Sequence, residues 1–238
     1  MKIAKEGWPF VLIFALATAL LGWLALRFLG VGGYAVLGLG VGLTLWCLWF
    51  FRDPERTPPP VRGGVISPAD GVVCAIGPAE LPPELGLSEG NRTRVCVFMN
   101  VFNVHVNRVP ASGKIIKLAY TKGKFFNASL DKASIHNERM AVAMRSDAGD
   151  VIGFVQIAGL VARRIVCKLR DHQEVKQGER FGLIRFGSRV DVYLPPDAEV
   201  KVTLGQKTTA GETVLATIPA RSEAQAPGVK DQGVPVGR

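Results

Sequence analysis

The chain is poor in the residues that build metal sites and disulfide frameworks. Its four cysteines, Cys47, Cys74, Cys96 and Cys167, lie far apart, with no CxxC pair and no histidine at ligand spacing. That spacing excludes a zinc motif and a stapled scaffold, and leaves the thiols as small apolar residues of a reducing compartment. Only three histidines occur, so proton transfer near neutral pH has few holders. Acidic residues are outnumbered by basic ones, 20 to 29, for a formal net charge of +9. The excess is spread out without an aromatic-basic stripe, so no nucleic acid partner is expected, and an anionic membrane surface is the better match. Helix signals are sparse in the polar part of the chain, and only 129–137 and 158–163 fit a short turn or two.

Charge is missing altogether from two stretches, WPFVLIFALATALLGWLAL at 8–26 and VGGYAVLGLGVGLTLWCLWFF at 31–51. At 1.5 Å per residue each can cross a hydrocarbon core of about 30 Å. Lys2 and Lys5 precede the first run, Arg52 and Arg56 follow the second, and Arg27 is the one charge between them. Counting positive charge places both ends in the cytoplasm, so residues 1–52 are expected to form a membrane-anchoring helical hairpin. A cleaved signal peptide fits less well, because the first run is too long and a second follows it. Trp8, Trp46, Trp49, Phe50 and Phe51 suit the two interfaces.

Residues 53–63 hold four prolines and read as an extended linker. From 64 to 218 the pattern changes to short β-branched runs separated by Gly, Pro and Asn, at 65–66, 71–76, 94–99, 115–120, 140–144, 151–157, 161–169, 181–185 and 190–194. This predicts a mainly β domain, a sandwich or barrel of lipoyl-like, barrel-sandwich flavour. An internal echo supports it: EVKQGE at 174–179 before Leu183-Ile184 resembles KTTAGE at 207–212 before Leu215-Ala216. The tail, 219–238, lacks apolar periodicity and is expected to be disordered.

Among residues that could do chemistry, His105 has valines on either side, which in a strand puts it on the face opposite Val104 and Val106. His136 and His172 lie in polar contexts and are expected at the surface. Asp70, before Gly71, reads locally as a turn. Gly187-Ser188 interrupts two strand-like runs and reads locally as a bulge. Taken together, Ser188, His105 and Asp70 offer one nucleophile, one base and one orienting carboxylate, without evidence that they meet. No Gly-x-Ser-x-Gly elbow surrounds Ser188, which argues against an ordinary serine hydrolase.

Ser67-Pro68-Ala69-Asp70-Gly71, His105 with Asn107-Arg108-Val109-Pro110, Asn137-Glu138-Arg139, Gly159-Leu160-Val161-Ala162-Arg163-Arg164-Ile165 and Phe186-Gly187-Ser188 together resemble the short bacterial form of phosphatidylserine decarboxylase. The resemblance implies a proenzyme that cuts itself between Gly187 and Ser188 and converts Ser188 into a covalent pyruvoyl group, with no metal and no pyridoxal phosphate. His105 would be general base and Asp70 its orienting carboxylate. The pyruvoyl group would form a Schiff base with phosphatidylserine in the bilayer and release phosphatidylethanolamine. The large and small chains would stay together as a heterodimer at the cytoplasmic side of the bacterial inner membrane. Longer members carry a second histidine where this chain has Arg108, so His105 is left to serve both stages. Arg108, Lys124, Arg163 and Arg164 are candidate phosphate contacts. The rivals are decarboxylation of a related seryl ether lipid and a non-catalytic, membrane-bound lipoyl-like domain.

Overall fold

The computed structural model describes residues 2–87, 91–126, 128, 136–159, 164–185 and 187–219. Two apolar helices, α1 (Trp8–Leu29) and α2 (Gly33–Phe50), turn back on each other through Gly30–Gly32. Their antiparallel seam is built on small residues: Gly40 admits Thr18, whose hydroxyl lies 3.2 Å from that of Thr44, an interhelical contact suited to an apolar pair. Leu16, Trp23, Leu39 and Leu45 point outward and are more than half exposed. With 18 residues, α2 measures about 27 Å, so the hairpin is long and apolar enough to cross a membrane.

Residues 53–61 form neither helix nor strand, as their prolines dictate. They are strapped to the β domain rather than left as a free tether. Arg180 Nε donates to Asp53 at 2.8 Å, Arg108 Nη2 donates to the Pro54 carbonyl at 2.7 Å, and Arg56 Nη2 donates to Asp70 at 3.1 Å.

The strands that follow are β1 (Gly64–Ile66), β2 (Gly71–Ala79), β3 (Arg92–Met99), β4 (Val106–Arg108), β5 (Gly113–Thr121), β6 (Arg139–Ser146) and β7 (Val151–Ile157). They continue with β8 (Ile165–Cys167), β9 (Glu174–Val175), β10 (Arg180–Ile184), β11 (Ser188–Leu194), β12 (Glu199–Val200), β13 (Lys207–Thr208) and β14 (Val214–Thr217). The expected mainly β domain is therefore present. Of the strand expected at 161–169, β8 covers 165–167; residues 164, 168 and 169 are not in a strand, and 161–163 lie outside the described residues. Most of the two expected helical turns and nearly all of the tail also lie outside them.

One eight-stranded antiparallel sheet, in the order β13-β2-β3-β11-β7-β6-β5-β9, curls around the core, and the three-stranded sheets β1-β14-β12 and β4-β10-β8 close it. Val97, Met99, Phe154, Val190 and Val192 from the large sheet meet Val65, Phe181 and Leu215 from the small ones. Each such buried side chain contributes about 1.5–3 kcal/mol.

The internal echo has a structural counterpart in two edge turns of the large sheet. The turns after β9 and β13 sit at opposite edges of the large sheet. Gly178 (φ +79°) donates its N–H to Val109 and Gly211 (φ +82°) donates to Ser67, both at 2.9 Å. Ser112 Oγ accepts from Gln177 N at 2.9 Å, and Asp70 Oδ1 accepts from Ala210 N at 2.7 Å. Asp70 thus holds one edge turn as Ser112 holds the other.

Candidate active site

The chain leaves the small sheet at the end of β10 and enters the centre of the large one at β11. Gly187 makes that crossing with φ +61°, in the left-handed region that glycine adopts without penalty. The Gly-Ser pair is therefore a passage between two sheets, not a bulge within one strand. Its carbonyl oxygen rests against Gly159, so closely that any Cβ at 159 would overlap it. Gly159 is held in turn by Asn137, whose buried side-chain amide donates to Ala158 O at 2.7 Å and to Phe126 O at 2.8 Å.

Ser188 is fully buried, and its hydroxyl has no hydrogen-bond partner among the described residues. It pairs with Met99 across β3. Beside that pair stands Asn107, which donates to Pro68 O (3.4 Å), touches Met99 Sδ (3.7 Å) and accepts from Gln156 Nε2 (2.9 Å). Burying such amides is tolerable because they bond to one another and to the backbone.

His105 lies two residues before Asn107 and is 2% exposed. Val104 and Val106 pack away from it with Leu183 and Ala4, which agrees with the alternation read from the sequence. Its ring stacks on Phe50 at the end of α2, with centroids 4.1 Å apart and planes 30° apart. Nδ1 lies 2.9 Å from the Asn103 carbonyl. A carbonyl can only accept, so Nδ1 carries the hydrogen and Nε2 keeps its lone pair. Nε2 is buried with no hydrogen-bond partner among the described residues. Burial lowers the pKa to about 4, aided by the nearby Arg52 charge and opposed by the Asn103 bond, so the ring is a neutral base at pH 7.

Asp70 is not hydrogen-bonded to His105. Its carboxylate is taken by Arg56 and by Ala210 N, and the Asn103 carbonyl orients the imidazole instead. Arg52 lies between them electrostatically, since its charge acts on His105 and the Asp70 charge acts on Arg52. His136 and His172 are exposed, as expected.

The candidate phosphate contacts divide. Arg108 is buried and committed to the backbone, with Nη1 donating to Gly178 O at 2.9 Å, Nη2 to Pro54 O, and Asp53 3.6 Å away. This guanidinium straps the linker to the edge turn and is not free for an anion. Lys124 is exposed and lies 5.9 Å over the Phe126 ring. Arg164 is exposed, and Arg163 lies outside the described residues. No group of His, Cys, Asp or Glu that could hold a metal ion occurs among the described residues, and the four cysteines are free. Gly159, Asn137 and Gln156 received no role from the sequence. Gln156 had left a signal, as the only polar side chain in the run Val151–Ile157, which is buried throughout.

The fold and the site define a class: a mainly β protein with an apolar helical hairpin long enough to cross a membrane and a buried serine where the chain crosses between sheets. Comparison with known proteins makes this particular. Residues 43–216 match the family described as phosphatidylserine decarboxylase. The phosphatidylserine decarboxylase proenzyme of Paramagnetospirillum magneticum is 57% identical over 216 residues, covering 91% of this chain and 87% of its own. Those of Rickettsia typhi and Rickettsia felis are 53% and 52% identical, covering 90% and 94% of this chain and 89% and 93% of theirs. The chain belongs to the phosphatidylserine decarboxylase family.

Proposed function

We propose that the chain is made as a proenzyme, cuts itself between Gly187 and Ser188, and then decarboxylates phosphatidylserine to phosphatidylethanolamine. The observation that carries this reading is the junction itself: a left-handed glycine whose carbonyl is seated on Gly159, followed by a buried serine whose hydroxyl has no hydrogen-bond partner among the described residues. Ser188 Oγ attacks the Gly187 carbonyl while His105 Nε2 accepts its proton. The amide becomes an ester, β-elimination releases the Gly187 carboxylate, and hydrolysis of the dehydroalanine expels ammonia and leaves a pyruvoyl group. A buried Ser188 oxygen with no partner among the described residues fits a residue that is to be converted rather than kept. The pyruvoyl group supplies a carbonyl that condenses with the serine amine and takes up the electrons released with carbon dioxide.

His105 is the proton holder at both stages. The Asn103 carbonyl fixes its tautomer, and Phe50 and the surrounding burial exclude water. After cleavage the small chain, beginning at residue 188, keeps seven paired residues with β3 and five with β7, which supports a lasting heterodimer of the two chains. Lys2, Lys5, Arg52 and Arg56 support placement of the β domain on the cytoplasmic side of a bacterial inner membrane. There the diacyl substrate never has to leave the bilayer.

Intact-mass measurement of the purified protein tests the reading. Two chains are expected, the smaller blocked at its N-terminus, and Ser188→Ala should remain at the full 25.6 kDa. Wild-type protein that stays intact and releases no carbon dioxide from phosphatidylserine would overturn it.

A further inference from the structure

One basic cluster is not used by the site as described. Arg185 stands three residues before Ser188, and its guanidinium carbon lies 4.6 Å from the centroid of Phe10 in the first turn of α1. Phe10 stacks on Phe51 (5.6 Å), Phe51 meets Phe50 edge-on (4.9 Å), and Phe50 stacks on His105. An aromatic ladder thus runs along the base of the hairpin from Arg185 to the candidate base. Among the described residues Arg185 makes no ion pair, and its Nε is sealed from solvent without a partner. The acid whose charge acts on Arg185 is Glu6, which is itself bonded to Lys168 at 2.6 Å. The backbone of Arg185 meets that of Arg164, with N 3.5 Å from the Arg164 carbonyl, and the Arg164 charge acts on Arg185.

The two like charges repel, and burial of Arg185 adds a desolvation cost. Both costs are relieved when an anion sits between the forks, and a phosphodiester matches the fork geometry. Depth selects the anion further. The first turn of α1 is where the hairpin leaves the β domain, which is headgroup level for a helix that enters a bilayer. No more than about 10 Å of backbone separates residue 185 from residue 188.

We propose that Arg185, with Arg164 beside it, binds the phosphodiester of a lipid headgroup and holds the attached serine toward Ser188. This rests on the decarboxylase reading above and adds the residues that recognise the substrate's phosphate.

The test uses full-length protein and is scored on the cleaved fraction only, so a failure of cleavage would count against the proenzyme reading and not against this site. In neutral-detergent micelles carrying phosphatidylserine, Arg185→Gln is expected to raise KM at least ten-fold with kcat within about two-fold, Arg164→Gln to raise it less, and Arg185→Lys to fall between. Arg185→Lys keeps the charge, and Arg164 is exposed, so these two remain informative if Arg185→Gln folds poorly. Inhibition by glycerophospho-L-serine, which has no acyl chains, should weaken in parallel if the substrate's own phosphodiester is the ligand. If instead only retention on phosphatidylglycerol vesicles weakens, the site is occupied by bulk lipid headgroups. Unchanged KM, inhibition and retention in all three variants, or a fall in kcat at constant KM, would overturn the proposal.

Discussion

The imidazole of His105 stacks on the ring of Phe50, 4.1 Å away. One ring ends the hairpin and the other belongs to the candidate site, so the hairpin forms a wall of that site. Phe50 is 1% exposed, and its removal would admit water to the imidazole. Phe50→Leu should cost on the order of 1–2 kcal/mol in stability and move the pKa of His105 up toward the ordinary histidine value. The check is the pH profile of self-cleavage in detergent: its acid limb should move to higher pH, and an unmoved limb would reduce the hairpin to a tether.

In the wild-type protein the acid limb should lie near pH 4 rather than near 6.5, because burial lowers the pKa of His105 to about 4. The sign for stability follows from linkage. Between about pH 4 and 6.5 the unfolded chain binds a proton at His105 that the folded chain refuses. The contribution is therefore fully present above about 6.5 and declines as the pH falls toward 4, by on the order of 3 kcal/mol. Denaturant titrations of Ser188→Ala, which stays uncut, measure it against Ser188→Ala/His105→Gln, whose stability should be flatter over that window.

The hairpin, the strand-rich domain and the alternation around His105 were legible because hydropathy and period-two patterning act locally. Asp70 reads locally as a turn from Asp-Gly, and the resemblance implies an orienting carboxylate; its hydrogen-bond partners, Arg56 and Ala210 N, were legible from neither. Which partner a carboxylate meets depends on a strap, Arg56, and on an edge turn 140 residues away. Arg108 looked like a free cation for the same reason: nothing in its neighbours announces that Pro54 and Gly178 will enclose it. Gly159 stood in one of the motifs that carry the resemblance, but its role was not legible, because that role is a contact with Gly187 made only when two distant segments meet.

The ion pair of Arg56 with Asp70, both side chains under 15% exposed, gives a direct test of what that carboxylate does. If it holds the strap and the edge turn, Arg56→Gln and Asp70→Asn should both lose about 1–3 kcal/mol and still cut, more slowly than wild type but faster than His105→Gln. Their effects on stability should be less than additive, since each breaks the same pair. Should Asp70→Asn abolish cleavage while Arg56→Gln cuts normally, the carboxylate acts in the reaction itself.

Gly159 offers the sharpest separation of geometry from chemistry, because it brings no functional group to the site. A methyl group at 159 would overlap the Gly187 carbonyl oxygen, so Gly159→Ala must displace the bond that Ser188 attacks. A displacement of about 1 Å is enough to cost about a hundred-fold in a reaction that depends on alignment. Cleavage of Gly159→Ala should therefore be at least that much slower, with His105 and Ser188 both intact. Gly149→Ala is the control: Gly149 has φ +90° with open space around its Cα, so it should lose about 1 kcal/mol of stability and cut at the wild-type rate. Gly159→Ala cutting as fast as this control would mean that the Gly187 carbonyl need not rest where it does.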